Sequence, residues 1–229
     1  MRRQSLIRVV MLLGPLALLG CSADQLSVVI SNARAAGDKC DFTDDTIYVS
    51  GGSVDMRPYD VGTPPVTFQS ASFYQVFSWE NNLISVPLVV NGQTVDPGAG
   101  NNFVVDTAHF SYQYSGAGQT FEDEIANMRA VITAGGTARD NSVGVELIQP
   151  KAAAKLLTIV NTTPQTLLVT FWLSGKLTAG SSLNTNKVSF PITVYQSASG
   201  TLTCPAGQVP TSTCGEVGRG SNIGCITPS

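Results

Sequence analysis

Short apolar segments separated by turn residues run through most of this chain, and they constrain its fold more than any other feature. Candidate segments of this kind lie at 26–30, 46–50, 73–79, 86–90, 103–114, 130–133, 143–148, 156–160, 166–177 and 187–195. Turn residues such as Gly51-Gly52 and Asn91-Gly92 fall between them. About eight or nine short strands at such spacing are typical of an all-β sandwich. The sequence therefore predicts a single immunoglobulin-like or fibronectin-like β-sandwich over residues 26–200.

Three of these segments carry more detailed predictions. Strand alternation in 103–114 places a set of mostly apolar residues on one face, namely Val104, Ala108, Phe110, Tyr112 and Tyr114. His109 is expected on the opposite face, exposed to solvent. The segments 166–177 and 187–195 are expected to form a long hairpin, and Asn91-Gly92 marks a second, shorter one.

Signals for helices are few. The segment 121–128 is expected to form two helical turns, because Glu122, Asp123 and Glu124 would place negative charge in its first turn. Residues 151–154 are expected to form one further turn after Pro150. Residues 201–229 are rich in Gly, Ser, Thr and Pro and contain three cysteines, so we expect a tail held in place by disulfides rather than by a core.

The first twenty residues have the pattern of a secretion signal. Arg2, Arg3 and Arg8 form a charged start, and an apolar run of about a dozen residues follows. This run is shorter than the roughly 20 residues that a membrane-spanning helix needs. We therefore expect residues 1–20 to direct export.

The signal ends in Leu18-Leu19-Gly20-Cys21, which resembles the lipobox of bacterial lipoproteins. The resemblance covers only residues 1–22. It implies that the Cys21 sulfur receives a diacylglyceryl group, that the signal is cut before Cys21, and that the freed amine is acylated by a fatty acid such as palmitate. Residues 21–25 would then be a short tether to the membrane, and Ser22 after the cysteine implies the outer membrane of the bacterial envelope.

Charge and cysteine content narrow the function further. The formal net charge of −3 becomes −6 when the three arginines of the signal are lost, and the remaining chain has no basic cluster. Nucleic acid is therefore not an expected partner. Apart from Cys21, the cysteines are Cys40, Cys204, Cys214 and Cys225. An even number in an exported protein predicts two disulfides, for which three pairings are possible.

The sequence contains no recognisable catalytic set. His109 is the only histidine, so a hydrolase with a Ser-His-Asp triad would have to use it. The chain has neither a GxSxG elbow nor a second histidine for a zinc-binding HExxH motif. We expect no catalytic residues, no metal ion and no cofactor.

Two sets of residues suggest binding instead. Carboxylates that could hold calcium cluster within about twenty residues, without the spacing of an EF-hand: Asp41, Asp44, Asp45, Asp55 and Asp60. Aromatic residues could form a platform for a glycan or protein if they are exposed, namely Phe73, Tyr74, Trp79, Tyr112 and Tyr114.

The expected function is accordingly that of a lipid-anchored envelope protein with a non-enzymatic binding or structural role. A carbohydrate-binding or calcium-dependent surface module is the alternative, and a hydrolase of unrecognised type is a third. An exposed row of Trp79, Tyr74 and Tyr112 would favour the second hypothesis. A deep pocket that holds His109 beside a serine and an aspartate would favour the third.

Overall fold

The structure is a computed structural model of the chain. It describes residues 27–35, 48–57, 59–60, 67–68, 73–83, 88–95, 101–136, 141–197, 204–211 and 224–227. The described chain is mostly β and includes one α-helix. The predicted signal and tether over residues 1–25, which include Cys21, lie outside these ranges, as do Cys40, Asp41, Asp44, Asp45 and Cys214.

The elements follow one another along the chain in this order: β1 (Val28–Ala33), β2 (Gly52–Asp55), β3 (Tyr59–Asp60), β4 (Thr67–Phe68), β5 (Tyr74–Asn81), β6 (Leu88–Val90), β7 (Gln93–Val95), β8 (Phe103–Tyr114), β9 (Glu124–Ile132), β10 (Ser142–Glu146), α1 (Pro150–Ile159), β11 (Gln165–Leu177), β12 (Ser182–Asn184), β13 (Val188–Tyr195), β14 (Val209–Thr211) and β15 (Gly224–Ile226).

Two sheets make up the body of the fold. The small sheet has the order β1-β5-β10, and the large sheet has the order β2-β13-β11-β8-β9 with β12 also paired to β11. All of these pairings are antiparallel except that of β13 with β2. The remaining strands form two-stranded ribbons. The strands of the two sheets agree with the number that the sequence predicts.

The two sheets share one hydrophobic core. The ring of Phe77 in the small sheet lies 4.7 Å from that of Phe171 and 5.9 Å from that of Phe190, both in the large sheet. Alternation along β11 places Leu167, Val169, Phe171 and Leu173 in this core, and each is completely buried. Burial of such a side chain contributes about 1.5–3 kcal/mol, so the contact between the inner faces holds the sheets together.

An irregularity in β8 changes which valine faces the core. The pairing of β8 shifts register at Asp106 against both β9 and β11. Val105 is consequently buried and Val104 is not, whereas simple alternation predicts Val104 on the inner face. Gly175 lies opposite this bulge, where a Cβ atom would be only 2.1 Å from the backbone oxygen of Val104. The close approach explains why glycine occupies this position.

The helix predicted at 121–128 is wrong, because these residues lead into and form part of strand β9. In this strand the outward residues are exposed, and the inward ones are partly buried except for Ile132, which is completely buried. Ala126, Met128 and Ala130 pack against the core. The two-residue period of the side chains therefore outweighs the local preference of the acidic residues for a helical first turn.

The observed helix lies elsewhere. Helix α1 covers Pro150–Ile159, so the single turn predicted at 151–154 is too short and the strand predicted at 156–160 is wrong. Proline is well suited to the first position of a helix, and Ala152, Leu156 and Val160 recur at intervals of four on its buried face. The carboxylate of Glu124 accepts hydrogen bonds from the backbone amides of Lys151 (3.0 Å) and Ala152 (2.8 Å).

The Glu124→Ala substitution is expected to lower the free energy of unfolding by about 1–2 kcal/mol, since two amides at the start of α1 would lose their acceptor. Thermal unfolding followed by circular dichroism would measure it. Glu122→Ala is the matched control. It removes only the exposed ion pair with Lys151 and is expected to leave the transition unchanged. Equal effects of the two variants would contradict the capping role of Glu124.

The predicted hairpins are confirmed where the structure describes them. Strands β11 and β13 pair antiparallel over Gln165–Phe171 and Val188–Val194. Strands β6 and β7 flank Asn91 and Gly92, whose positive φ angles of 51° and 78° suit a tight hairpin turn.

In the C-terminal tail, Cys204 is bonded to Cys225. Strands β14 and β15 pair next to this disulfide. Two of the predicted cysteines are therefore paired, as expected for a tail tied by disulfides.

Candidate functional site on the outer face of the large sheet

The outer face of the large sheet carries an unusual row of side chains. The register places Ile125 of β9, His109 of β8 and Trp172 of β11 side by side. Because Phe171 pairs with Val188, Lys187 continues this row on the other side of Trp172. We call these four residues, Ile125, His109, Trp172 and Lys187, the Trp172 row.

Trp172 lies between two neighbours in this row. The imidazole of His109 stacks on the indole with ring centroids 4.9 Å apart and planes inclined by 5°. The Lys187 ammonium lies 4.4 Å from the centroid of the indole ring. Since β8 and β13 flank β11 on opposite sides, both neighbours hold the indole upright on the sheet. Each such contact contributes about 0.5–1 kcal/mol at a partly exposed site.

Two hydroxyl groups contact His109. Its Nε2 lies 2.9 Å from Ser174 Oγ and 3.3 Å from Thr107 Oγ1. A serine beside a histidine is part of the arrangement of a hydrolase, but such a histidine also needs an acidic partner to orient it. No carboxylate among the described residues is bonded to His109, and the pair lies on the outer face of the large sheet. These hydroxyls fix the orientation of the ring against Trp172.

The predicted outward orientation of His109 is thus confirmed, but the side chain is less exposed than predicted. His109 lies on the face opposite the core, as alternation predicts, but it is half-buried rather than fully exposed. Side chains of the neighbouring strand β11 shield His109 from solvent, because Trp172 stacks on its ring and Ser174 bonds to its Nε2. These partners are more than sixty residues away along the chain, so the sequence around His109 gives no sign of them.

The predicted aromatic platform does not form. Trp79 is completely buried, and Phe73 and Tyr112 are also buried. Trp79 is buried because alternation along β5 places it on the same inner face as Phe77. Tyr112 and Tyr114 pack against Phe121, at centroid distances of 6.0 and 5.8 Å, and Tyr74 is partly buried.

Burial also sets the chemistry of Tyr112. Its hydroxyl accepts a hydrogen bond from the backbone amide of Gln149 at 3.2 Å. Loss of solvent raises the pKa of Tyr112 above the ordinary value of a phenol. The side chain therefore stays neutral in the core and acts as a structural link to the start of α1.

Trp172 is the functional candidate that the sequence analysis missed. The signal was present in the segment QTLLVTFWLSGKL, where Leu167, Val169, Phe171 and Leu173 alternate toward the core. A tryptophan between two of these positions must point outward. Of the two tryptophans in the chain, the one outside the core is Trp172.

Among the acidic residues singled out from the sequence, Asp55, Glu122 and Glu124 have structural partners. Asp55 is buried, and its carboxylate accepts hydrogen bonds from the amides of Arg57 (3.0 Å) and Ser197 (3.1 Å). Glu124 caps α1, as described above. In the described part of the chain, no three His, Cys, Asp or Glu side chains come close enough to hold a metal ion.

A second surface feature lies beside α1. It is an open depression of about 460 Å³, lined by Thr120, Phe121, Glu122, Lys151, Ala152, Ala154 and Lys155. Lys151 binds Glu122 at 3.0 Å, which lowers the pKa of Glu122 and raises that of Lys151. The Lys155 ammonium lies 5.1 Å from the centre of the Phe121 ring. Because these charged groups contact one another or the ring, the depression offers a ligand few free contacts.

Two further findings concern membrane-spanning helices and similarity to known proteins. Among the described residues, no helix combines the length and apolar character needed to cross a bilayer. No protein-family model matches the chain, and neither a curated protein nor a solved structure shows significant similarity to it.

Proposed function

We propose that this protein is a lipid-anchored component of the bacterial envelope that binds a protein partner through the outer face of its large sheet. The observation that carries the binding role is Trp172. A large, partly exposed aromatic side chain on the outer sheet face, held in one orientation by His109 and Lys187, has the properties of an interface anchor.

The membrane anchor rests on the sequence. The segment Leu18-Leu19-Gly20-Cys21 closes a charged and then apolar leader of the right length. Lipidation of Cys21 would hold the domain close to the bilayer, because few residues lie between Cys21 and the start of β1 at Val28. Two or more acyl chains give stable attachment, whereas a single chain binds reversibly.

We also infer an immunoglobulin-like arrangement of the strands. The chain order supports it: β1 and β5 lie in one sheet, β8 and β9 in the other, β10 returns to the first, and β11 and β13 complete the second. This alternation between sheets matches strands A, B, C, C′, E, F and G of such a domain. In that comparison the Trp172 row lies on the sheet formed by G, F, C and C′.

The contacts of Trp172 favour a protein partner over a sugar. A sugar ring stacks on the free face of an aromatic side chain, but the neighbours of Trp172 approach from both sides of its strand. The remaining edge of the indole, the ammonium of Lys187 and the exposed Ile125 on the far side of His109 together offer the mixture of apolar and polar contacts that is typical of protein interfaces.

Photocrosslinking in cells tests this proposal. A photoreactive phenylalanine analogue at position 172 is expected to give a covalent adduct with an envelope protein. The same analogue at position 80, an exposed glutamate on the small sheet, is the control. Lys187→Ala in the position-172 protein is expected to reduce the adduct severalfold, because the ammonium group next to position 172 no longer contributes to the contact with the partner. No adduct at 172, or equal adducts at 172 and 80, would contradict a binding role for this face.

A further inference from the structure

We propose that two copies of this chain associate through strand β9, so that their large sheets join into one continuous sheet. Strand β9 is the last strand in the order of the large sheet. Within the described chain, no backbone hydrogen bond reaches the edge of β9 that faces away from β8 between Ile125 and Val131. A free edge of this kind is a ready partner for another strand.

The side chains of β9 leave this edge unprotected. Ile125 is 67% exposed and Val131 is 56% exposed, both on the outer face. Monomeric proteins usually guard such an edge with several charges, a proline or a bulge that turns the strand away. The outward positions of β9 hold one charge, Arg129, and no proline. Its pairing with β8 has one irregularity, where Met128 and Arg129 lie opposite Asp106, but exposed and less exposed side chains still alternate without interruption from Glu124 to Ile132. The strand is therefore suited to pairing along its whole length.

One antiparallel register makes β9 complementary to itself. When Met128 lies on the two-fold axis, Ile125 of each copy faces Val131 of the other, and the two exposed apolar pairs cover each other. Arg129 then faces Asn127, whose amide oxygen can accept a hydrogen bond from the guanidinium, so no like charges are opposed. Registers that pair Ile125 with Ile125 or Val131 with Val131 use only part of the strand. The charged and the apolar residues of β9 therefore favour the same register.

The expected contact suits a reversible dimer. A nine-residue strand is about 30 Å long. A contact of that length and about 15 Å width buries on the order of 900 Å² over both copies, which is at the low end for specific complexes. Two copies related by a two-fold axis can form this contact without another protein, because each contributes the same surface. The outer faces of the two copies would become continuous, and the two Trp172 rows would lie on the same side.

Mixed-cysteine crosslinking tests the register directly. Purified full-length Ile125→Cys and Val131→Cys proteins are oxidised separately and as a mixture, with wild type to account for native thiols. In the proposed register, residue 125 of one copy lies about 20 Å from residue 125 of the other, too far for a disulfide. We expect a covalent dimer in the mixture and none above wild type in either protein alone. Both positions are exposed, so neither change should disturb folding.

Two further variants complete the test. Met128→Cys alone is expected to crosslink, because residue 128 faces itself on the axis, and Glu80→Cys on the small sheet reports random collision. Adding Ile125→Lys to Met128→Cys is expected to abolish the crosslink. Absence of crosslinking in the mixture, or equal crosslinking in the single variants and the mixture, would overturn the proposal. Neither result affects the photocrosslinking test at position 172, which examines the proposed function independently.

Discussion

Replacing Phe171 with alanine is expected to lower the free energy of unfolding by about 4 kcal/mol. Phe171 is completely buried where the two sheets meet, and its ring lies 4.7 Å from Phe77 and 6.3 Å from Phe110. Alanine would leave a cavity that the two sheets cannot close without moving closer together and disturbing the rest of the core. Equilibrium unfolding in urea would show the loss as a lower midpoint with an unchanged slope.

Leu168→Ala is the matched control for this prediction. Leu168 lies in the same strand but on the outer face, where it is only partly buried. We expect a cost below about 1 kcal/mol there, because little apolar surface is lost from the core. Similar losses for the two variants would mean that β11 does not present Phe171 to the other sheet in the way described.

Replacing Cys21 with serine is expected to move the protein from the membrane fraction to the soluble fraction. Serine cannot form the thioether to diacylglycerol, so the acyl chains that hold the protein to the bilayer would be missing. Membrane fractionation followed by intact mass measurement checks both parts of the expectation. The wild-type protein should begin at residue 21 and carry the mass of its acyl chains.

Cys204→Ser separates lipidation from the other cysteine chemistry. Cys204 forms a disulfide with Cys225 in the tail, so this variant should remain acylated and in the membrane fraction. A wild-type protein that is soluble and carries no acyl chains would refute the anchor. Cys21 would then be a fifth thiol, and the even number on which the expectation of two disulfides rests would be lost.

Periodicity along single strands was the part of the fold that could be predicted. Strands β11 and β13 follow from alternating apolar residues, and their hairpin follows from a short connection between them. The small sheet is harder to anticipate, because β5 pairs with β1 and β10, which lie far away in sequence. No local pattern shows that Trp79 and Phe77 would face the other sheet rather than solvent.

The errors share one physical cause, which is that distant residues decide local structure. Helix α1 is capped by Glu124 from β9, a contact across about twenty-seven residues, so the segment around Pro150 gives a weak helix signal of its own. Val104 faces outward because β8 is irregular at Asp106, and that irregularity requires Gly175 of the neighbouring strand. A reading that treats each segment separately cannot find either effect.

The candidate site illustrates the same limit. The face on which His109 lies could be predicted from alternation, and so could the outward position of Trp172. Their contact depends on the register of β8 against β11, which only the folded chain defines. The sequence alone therefore predicts that the side chains of His109 and Trp172 point outward, but not that they contact each other.

The parallel pairing of β2 with β13 has a mechanical consequence. Four residue pairs, from Gly52 with Ile192 to Asp55 with Tyr195, join a strand in the N-terminal quarter of the chain to one that comes more than 130 residues later. If one end is held by a lipid and tension acts on the other, parallel strands are pulled along their length in opposite directions. Their hydrogen bonds are then loaded together rather than one after another. A domain pulled from its two ends in this way would resist stretching.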